Sequence, residues 1–402
     1  MKLGIIGGGA SGMAAAMAAA ENQNTEVILL ERQARLGRKL SATGNGRCNL
    51  SNLHAMEGGY HGENSEFRQH AMETYSVENT LEWFRDLGLY TVAEDSGRIY
   101  PYSDQANSVV DVLRFGLLKP NIQVKTGFEV EKVRKSSGGF TLTSREETLE
   151  VDRLIIACGG LAGTRLGGGM FGYRFLRGFG HHSTRLRPNL VQIKTDWPGI
   201  SALKGVRANC RVTILKDDQV FAESVGEMQF TDTGFSGPVM YEISRDVCLE
   251  KGCWVCRMDF LPDMDRETLQ NLLLRRKDTR LTAEDLFTGI LHNRLGKVLI
   301  KQADLTENRP VSQLEDWEIC NAAWLAKCFE AGLTEPLGMD AAQVTAGGIL
   351  TDEFDPMTME SRLVPGLYAC GEVLDIDGDC GGYNLQWAWS SGRLAGAHAG
   401  KE

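Results

Sequence analysis

The sequence predicts an α/β protein built on a Rossmann-like core. Three observations near its start carry that expectation: an apolar run over residues 2 to 6, glycines at 7, 9 and 12 in the spacing GxGxxG, and a segment from Ser11 to Glu21 whose alanines, Met13 and Met17 suit a closely packed helix. A second apolar run, EVILL at 26 to 30, ends on Glu31. In such a strand–turn–helix–strand unit, Gly7 permits the tight turn, Gly9 lets a pyrophosphate approach the backbone, and Gly12 lets helix and strand pack closely. The helix start offers unpaired N–H groups and a positive dipole end to phosphate, and an acid placed like Glu31 accepts hydrogen bonds from a ribose diol.

The bulk numbers bound the rest. With 402 residues, 42% hydrophobic and 24% charged, the chain can bury an ordinary core and is expected to divide into two or three domains. Its 43 basic against 53 acidic side chains give a formal net charge of -10, which argues against holding nucleic acid by bulk charge and leaves only a local basic patch for that purpose. No apolar run approaches the roughly 18 to 20 residues needed to cross a bilayer. The first apolar segment lacks a signal peptide's basic start and cleavage site. A cytoplasmic location is therefore expected, with no membrane partner and the ten cysteines mostly reduced thiols.

The loop after Glu31 distinguishes FAD from NAD. Its sequence, RQARLGRKLSATGNGRCNLSN, places Arg32, Arg35, Arg38, Lys39 and Arg47 before Cys48, with glycines at 37, 44 and 46. Pliable backbone and charge-assisted donors in one loop suit the phosphates and ribityl chain of an extended FAD. Two later segments agree. LIIACGG at 154 to 160 is an apolar strand ending in small residues, and it resembles the ATG-type motif of two-dinucleotide flavoproteins with Cys158 where threonine is usual. LVPGLYACGE at 363 to 372 resembles the flavoprotein motif ending in Gly-Asp, here Gly371-Glu372, whose carboxylate usually meets the ribityl chain.

Together these segments resemble a family. KLSATGNGRCNLSN, GRIYPYSDQANSVVDVL at 97 to 113, VGEMQFTDTGFSGPVM at 225 to 240, and the tail with TAGGI, TMESR and PGLYACGEVLDIDGDCGGYNLQWAWSSGRLAG are similar to the BaiN/RdsA family of bacterial NAD(P)/FAD-dependent oxidoreductases, also described as aminoacetone-oxidase-like. The resemblance implies a two-dinucleotide-type FAD-binding domain formed by residues 1–189 and 342–402. Between them it implies a strand-rich, barrel-like insert at 190–262 and a helical insert at 263–341. The sequence independently supports β-structure in LVQIKTDW, ANCRVTILK, QVFAESVGEMQF and CWVCRMDF, and a helical pattern from Arg266 to Ala331 through Leu269, Leu272, Leu273, Leu286, Ile290, Trp317, Ala323, Trp324 and Phe329. Cys158 and the GGGMFG of 167 to 172, where relatives commonly carry a Gly-Asp-Gly turn, depart from the family pattern.

From the cradle and the resemblance together, the expected cofactor contacts are Gly7, Gly9, Ala10, Ser11, Gly12, Glu31, Arg32, Arg38, Lys39, Thr43, Gly44, Arg47, Asn49, Val130, Ala157, Gly159, Gly371, Glu372, Asp375, Asn384 and Leu385. The resemblance places Gly381-Gly382-Tyr383-Asn384-Leu385-Gln386 against the isoalloxazine ring, where a helix start stabilises negative charge at N1 and the C2 carbonyl. Tyr383 and Arg98 are the candidate catalytic residues, by their placement in family-specific blocks. For Tyr383 and Trp387, bordering the substrate and belonging to the core are both open.

Other constellations have plainer readings. Gly167, Gly169 and Gly172 form a second GxGxxG, but Arg185, Arg187 and Pro188 stand where its acid belongs, so it reads as a helix start beside the FAD and not as a nicotinamide domain. Cys253 and Cys256, with Cys248 nearby, read as packed thiols because a strand puts positions three apart on opposite faces, and no metal site is expected. Cys48 reads as structural, with a redox or substrate role as its alternative. RRKDTR at 275 to 280 reads as a solvated helix end, with RNA contact as the alternative, and His181 and His182 as locally hydrogen-bonded.

The expected function is FAD-dependent reduction of an activated, enone-like C=C bond in a small molecule, with NADH or NADPH as transient donor: hydride passes through flavin N5 to one carbon and an acid protonates the next. The family spans dehydro-bile-acid-type steroids, aminoketones oxidised with O2, and a ribosomal RNA uridine. An amine oxidase and a dihydrouridine-forming enzyme are thus the alternatives, with a non-enzymatic FAD scaffold behind them. Substrate identity, nicotinamide preference and oligomeric state are not readable from the sequence.

Overall fold

The computed structural model describes residues 1–247 and 249–401, so Cys248 lies outside the described residues. The chain forms two compact units, one from residues 1–189 with 342–402 and one from residues 190–341.

The first unit is built on a parallel sheet. Strands β1 (Lys2–Ile6) and β2 (Glu26–Glu31) flank helix α1 (Ala10–Ala19) in sequence. Later come β3 (Tyr60–His61), β4 (Ile122–Thr126), β5 (Arg153–Ile156), β6 (Arg187–Asn189), β7 (Val344–Ala346), β8 (Leu367–Ala369), β9 (Asp377–Gly378) and helix α2 (Tyr383–Ala399). The sheet order is β8-β5-β1-β2-β4, and every pair is parallel, with Leu3 opposite both Val27 and Arg153. Its central strands read as near-continuous apolar runs because both faces are covered: Leu3, Ile5, Leu29, Leu154, Ile155 and Ile156 are fully buried. The chain leaves this unit through β6 and returns through β7, which pair antiparallel.

Helix α1 is buried on every side, which its alanines allow. Along it runs α2, and the meeting face is made of glycines at four-residue spacing. A Cβ at Gly392 would stand 2.4 Å from the Ser11 carbonyl oxygen, one at Gly396 2.1 Å from that of Ala15, and one at Gly400 2.8 Å from that of Ala19. Residues ascend together in both helices, so the two run parallel. By this register α2 begins about eight residues ahead of α1, roughly 12 Å along the axis.

The second unit contains a closed antiparallel barrel of six strands: Ile193–Thr195, Gly234–Ser236, Gln219–Phe230, Arg207–Lys216, Trp254–Asp259 and Phe329–Pro336, in that order around the ring. Alternation along the strands buries Cys210, Val212, Ile214, Met228, Phe230, Cys256 and Met258. Helices Arg266–Leu274, Asn293–Gln302 and Asp316–Lys327 belong to the same unit. The helical pattern expected through Ala331 therefore stops at Lys327. Phe329 lies on the barrel's last strand, because that strand pairs with residues far back in sequence: Phe329 lies opposite Met258, and Pro336 opposite Ile193. Such pairing outweighs local spacing.

Cys256 is a packed thiol on its strand, but Cys253 is exposed, because it lies one residue before that strand starts at Trp254 and its N–H donates to Asp217 at 2.8 Å. The RRKDTR segment is only partly solvated: Arg276 donates to the carbonyls of Asp285 (3.1 Å) and Thr288 (2.9 Å), and Lys277 pairs with Asp316. His181 and His182 share Glu353, at 2.9 and 2.7 Å, and His181 also meets the Ser361 hydroxyl at 2.9 Å.

Candidate active site

The cradle begins where β1 ends. Gly7 has φ +113°, a left-handed conformation that side chains disfavour, and a Cβ there would stand 2.3 Å from the Ala157 carbonyl oxygen. A Cβ on Gly12 would meet the Gly7 carbonyl oxygen at 1.8 Å. Gly9, the N-cap of α1, faces open space with nothing within 4 Å. No side chain caps α1 and no acid lies in its first turn, so the N–H groups of Ala10, Ser11 and Gly12, ahead of the first helical bond from Met13 N–H to the Gly9 carbonyl, keep their partial positive charge.

At the end of β2, both carboxylate oxygens of Glu31 are oriented: Oε2 accepts from Gly8 N–H at 2.8 Å and Oε1 from Gln33 N–H at 2.7 Å. Gly7, Glu31, Arg32, Val130, Gly167 and Phe171 line one cleft at the ends of β1 and β2. Arg32 closes its side, donating to the Gly167 carbonyl at 2.8 Å and lying 4.6 Å over the Phe171 ring. The second glycine motif thus starts its helix (Phe171–Gly178) beside the first cradle. Cys158 also lines the cleft, with its thiol pushed up to about 12 by burial. Gly159, two residues past Ala157, has φ +69° and open space around it.

The loop between Leu40 and Asn49 is held in an unusual backbone. Gly44, Asn45 and Cys48 all have positive φ, and the Thr43 hydroxyl donates to the Leu40 carbonyl at 2.7 Å. Cys48 is buried with its thiol raised to about 12 by desolvation, which supports its structural reading. Asn49 Oδ1 is buried without a hydrogen-bond partner, next to Gly382 at the start of α2. Lys39 reaches the other end of the chain and pairs with Glu372 at 2.7 Å, while Thr345 N–H donates to the second Glu372 oxygen at 2.9 Å. Gly371 (φ +76°) presses on Ser11. Asp375 is buried, accepts from Glu63 N–H at 3.0 Å, and has its carboxyl raised by burial.

Two basic residues of the loop turn elsewhere. Arg38 donates to the Gln33 side chain at 2.8 Å, and Arg47 pairs with Asp104 and Glu94 while stacking 4.0 Å over Tyr100.

Helix α2 starts at Gly382 with φ +102°, no side-chain cap and no acid in its first turn. Asn384 locks the approach by accepting from Gly378 N–H (2.9 Å) and donating to its carbonyl (2.7 Å), and Leu385 follows within the first turn. Tyr383 is half-buried, edge-on to Tyr60 at 5.6 Å between centroids, and a Cβ on Gly381 would lie 3.1 Å from Arg98 Nε. Trp387 is core: it is 1% exposed and donates to the Gly371 carbonyl at 3.2 Å. The structure therefore gathers Gly9, Lys39, Asn49, Glu372, Tyr383 and Arg98 along one path from α1 to α2. It adds a pair that no motif announced, His61 and Asp379, at 2.7 Å.

Two observations fit this path to an extended FAD: the open space at Gly9 and the orphaned acceptor of Asn49. A match to the HI0933-like protein Rossmann domain over residues 1–398 decides the family. The chain belongs to the HI0933-like family. This is the BaiN/RdsA group that the sequence motifs resemble. Among the relatives of this HI0933-like protein, a 3-dehydro-bile acid delta(4,6)-reductase of Clostridium scindens is 40% identical over 99% of this chain and 98% of its own length. A ribosomal RNA dihydrouridine synthase of Escherichia coli is 32% identical over 96% and 95%. In fold, the chain is similar to a 3-ketosteroid delta1-dehydrogenase from Sterolibacterium denitrificans, with TM-score 0.53, 13% identity and 99% coverage of each chain. Family, fold and cradle make this HI0933-like protein a flavin-dependent oxidoreductase. Among the described residues no cluster could hold a metal ion, and no helix is long and apolar enough to cross a membrane.

Proposed function

We propose that this protein is an FAD-dependent reductase of an activated C=C bond in a small molecule of the enone or 3-dehydro-bile-acid kind, with NADH or NADPH as electron donor. The observation that carries the reading is the pair of parallel, uncapped helix starts, α1 and α2, offset by roughly 12 Å along one seam. One positive end suits a pyrophosphate, and the other suits the electron-rich edge of a flavin ring. A bound FAD supplies hydride transfer, while the protein holds the reactants in place and stabilises developing charge.

In this reading Gly7, Gly9, Ala10, Ser11 and Gly12 hold the pyrophosphate end and Glu31 the ribose. Arg32 and Val130 border the adenine side. Ala157, Gly159, Thr43, Gly44, Gly371, Asp375 and the Lys39–Glu372 pair follow the ribityl chain, and Asn49, Asn384 and Leu385 meet the ring. Arg38 and Arg47 form the outer rim, where Gln33, Asp104 and Glu94 position them. At the mouth, Arg98 suits the task of holding a substrate carbonyl oxygen, and Tyr383 borders the substrate.

The bile-acid reductase relative supports the substrate class. The ribosomal RNA reading shares the chemistry, since the C5=C6 bond of uridine is conjugated to a carbonyl, and it is the second reading on the strength of its relative. The net charge of -10, with Arg276 and Lys277 committed to internal partners, favours the small molecule. We place the protein in the cytoplasm, where its thiols stay reduced.

The test is anaerobic mixing of the FAD-loaded protein with NADH or NADPH while following absorbance near about 450 nm, a general property of oxidised flavin. Fast bleaching, slow reoxidation in air and fast reoxidation by an enone are expected. Absence of bleaching sinks the NAD(P)H-driven reading. Peroxide formed from an aminoketone without nicotinamide would make it an amine oxidase, and loss of a dihydrouridine from the RNA of a deletion strain would establish the RNA reading.

A further inference from the structure

Reduction of an activated C=C bond needs a proton as well as a hydride, and neither residue drawn from the motifs is well suited to give one. A guanidinium such as that of Arg98 keeps its protons in proteins. The Tyr383 ring packs edge-on against Tyr60. Beside Tyr383 stands an imidazole–carboxylate pair. His61 lies opposite Asp377 in the β3·β9 ladder, and its Nε2 is 2.7 Å from Asp379 Oδ1.

Asp379 is fixed from two sides, its N–H donating to the Gly59 carbonyl at 2.8 Å and its carbonyl accepting from Asn384 at 3.4 Å. Gly59, with φ +75°, is squeezed between the two candidate groups: a Cβ there would stand 2.7 Å from Tyr383 Cε1 and 2.8 Å from Asp379 Oδ2. Imidazole, carboxylate and phenol ring therefore share one place at the start of α2. The His61 side chain keeps 39% of its surface, so solvent can exchange its proton.

We propose that His61 is the proton donor of the C=C reduction, with Asp379 as its positioning residue. Asp379 accepts Nε2–H and leaves Nδ1–H for the substrate. Imidazole is a side chain that can both give up and recover a proton near neutral pH. The balance is simple: one carbon receives a hydride with its two electrons from the cofactor, the neighbouring carbon forms its C–H bond with the His61 proton, and the neutral imidazole recovers a proton from water. Besides Asp379, the ionisable groups near His61 include Asp377 across the ladder, Glu63 and Asp375 beside Gly62, Tyr383 of α2, and Tyr60 with the Arg68 guanidinium 4.9 Å over its ring.

This role rests on the enone-reductase reading, and the experiment separates the two. FAD-loaded wild type, His61→Gln, Asp379→Asn, Asp379→Glu and the His61→Gln/Asp379→Asn double variant are photoreduced without nicotinamide. They are then mixed anaerobically with 2-cyclohexenone or a steroid 4-en-3-one at neutral pH. Expected are an unchanged flavin spectrum and photoreduction in every variant, and reoxidation of His61→Gln slowed by about a hundredfold or more. Asp379→Asn should slow reoxidation less than His61→Gln does, Asp379→Glu should restore it, and the double variant should be no slower than His61→Gln alone. Wild-type reoxidation in His61→Gln, or a double variant in which the two effects simply add, overturns the assignment. If the reduced wild type is not reoxidised by any enone, the reductase reading fails first and the donor role falls with it.

Discussion

Gly396 of α2 lies against Ala15 of α1 so closely that a Cβ on the glycine would stand 2.1 Å from the alanine carbonyl oxygen. The atom met is backbone, which cannot rotate away. Gly396→Val should therefore force the helices apart and cost roughly 1–3 kcal/mol in urea unfolding. Because the two helix starts are positioned by this seam, FAD should also dissociate during gel filtration. A variant that keeps both its midpoint and its FAD would show that the seam does not set the cradle.

The Lys39–Glu372 pair joins the basic loop to the strand-end motif, with 29% and 20% of the two side chains exposed. Glu372→Gln and Lys39→Met should each weaken FAD binding by about tenfold, roughly 1.4 kcal/mol. In a double-mutant cycle the effects should be less than additive, since either change breaks the same contact. Full additivity in FAD titrations would separate the two residues.

His181 is buried against Phe354 and Ser361, and burial holds its pKa below the ordinary histidine value despite Glu353. A base with a depressed folded pKa binds protons more readily when unfolded. Its contribution is present above about pH 6.5, the unfolded value, and is lost as pH falls through the lower folded value. For Glu353 a burial penalty is outweighed by hydrogen bonds from His182 and His181, which hold the carboxyl below its usual range, so its contribution is likewise lost as pH falls. Urea midpoints should drop between pH 7.5 and pH 5.5, and His181→Gln should flatten that slope. An unchanged slope would rule His181 out as its source.

Burial raises the thiols of Cys48, Cys158 and Cys370 to about 12, so at pH 8 only about one in ten thousand of each is thiolate. Cys253 is exposed. With Ellman's reagent on the native protein, Cys253→Ser should remove one fast equivalent, whereas Cys158→Ser should leave the fast phase intact. Rapid labelling of Cys158 would mean that the cleft opens.

The pyrophosphate cradle is legible in the sequence because its parts are consecutive: strand, Gly7, Gly9, Gly12, helix and Glu31 lie within one short stretch, where local spacing reports geometry. Gly371-Glu372 is recognisable as a motif, but its partner Lys39 is not, since 333 residues separate them. His61 and Asp379, 318 residues apart, carry no spacing signal at all. The seam glycines 392, 396 and 400 do form a readable small-residue repeat, yet only the fold shows that α1 is what they meet. The start of Phe329–Pro336 reads as helix because its apolar positions continue a helical rhythm, while the pairing that makes it a strand lies in distant residues.

The parallel helix pair also has a temporal side. A ribosome makes Ala15 of α1 some 380 residues before it makes Gly396 of α2, between about 20 and 75 s earlier at ordinary elongation rates. Throughout that interval the alanine face of α1 has no helix to cover it. The nascent chain must shelter that face by other means, and its dinucleotide site can be completed only after the whole of the second unit has been translated.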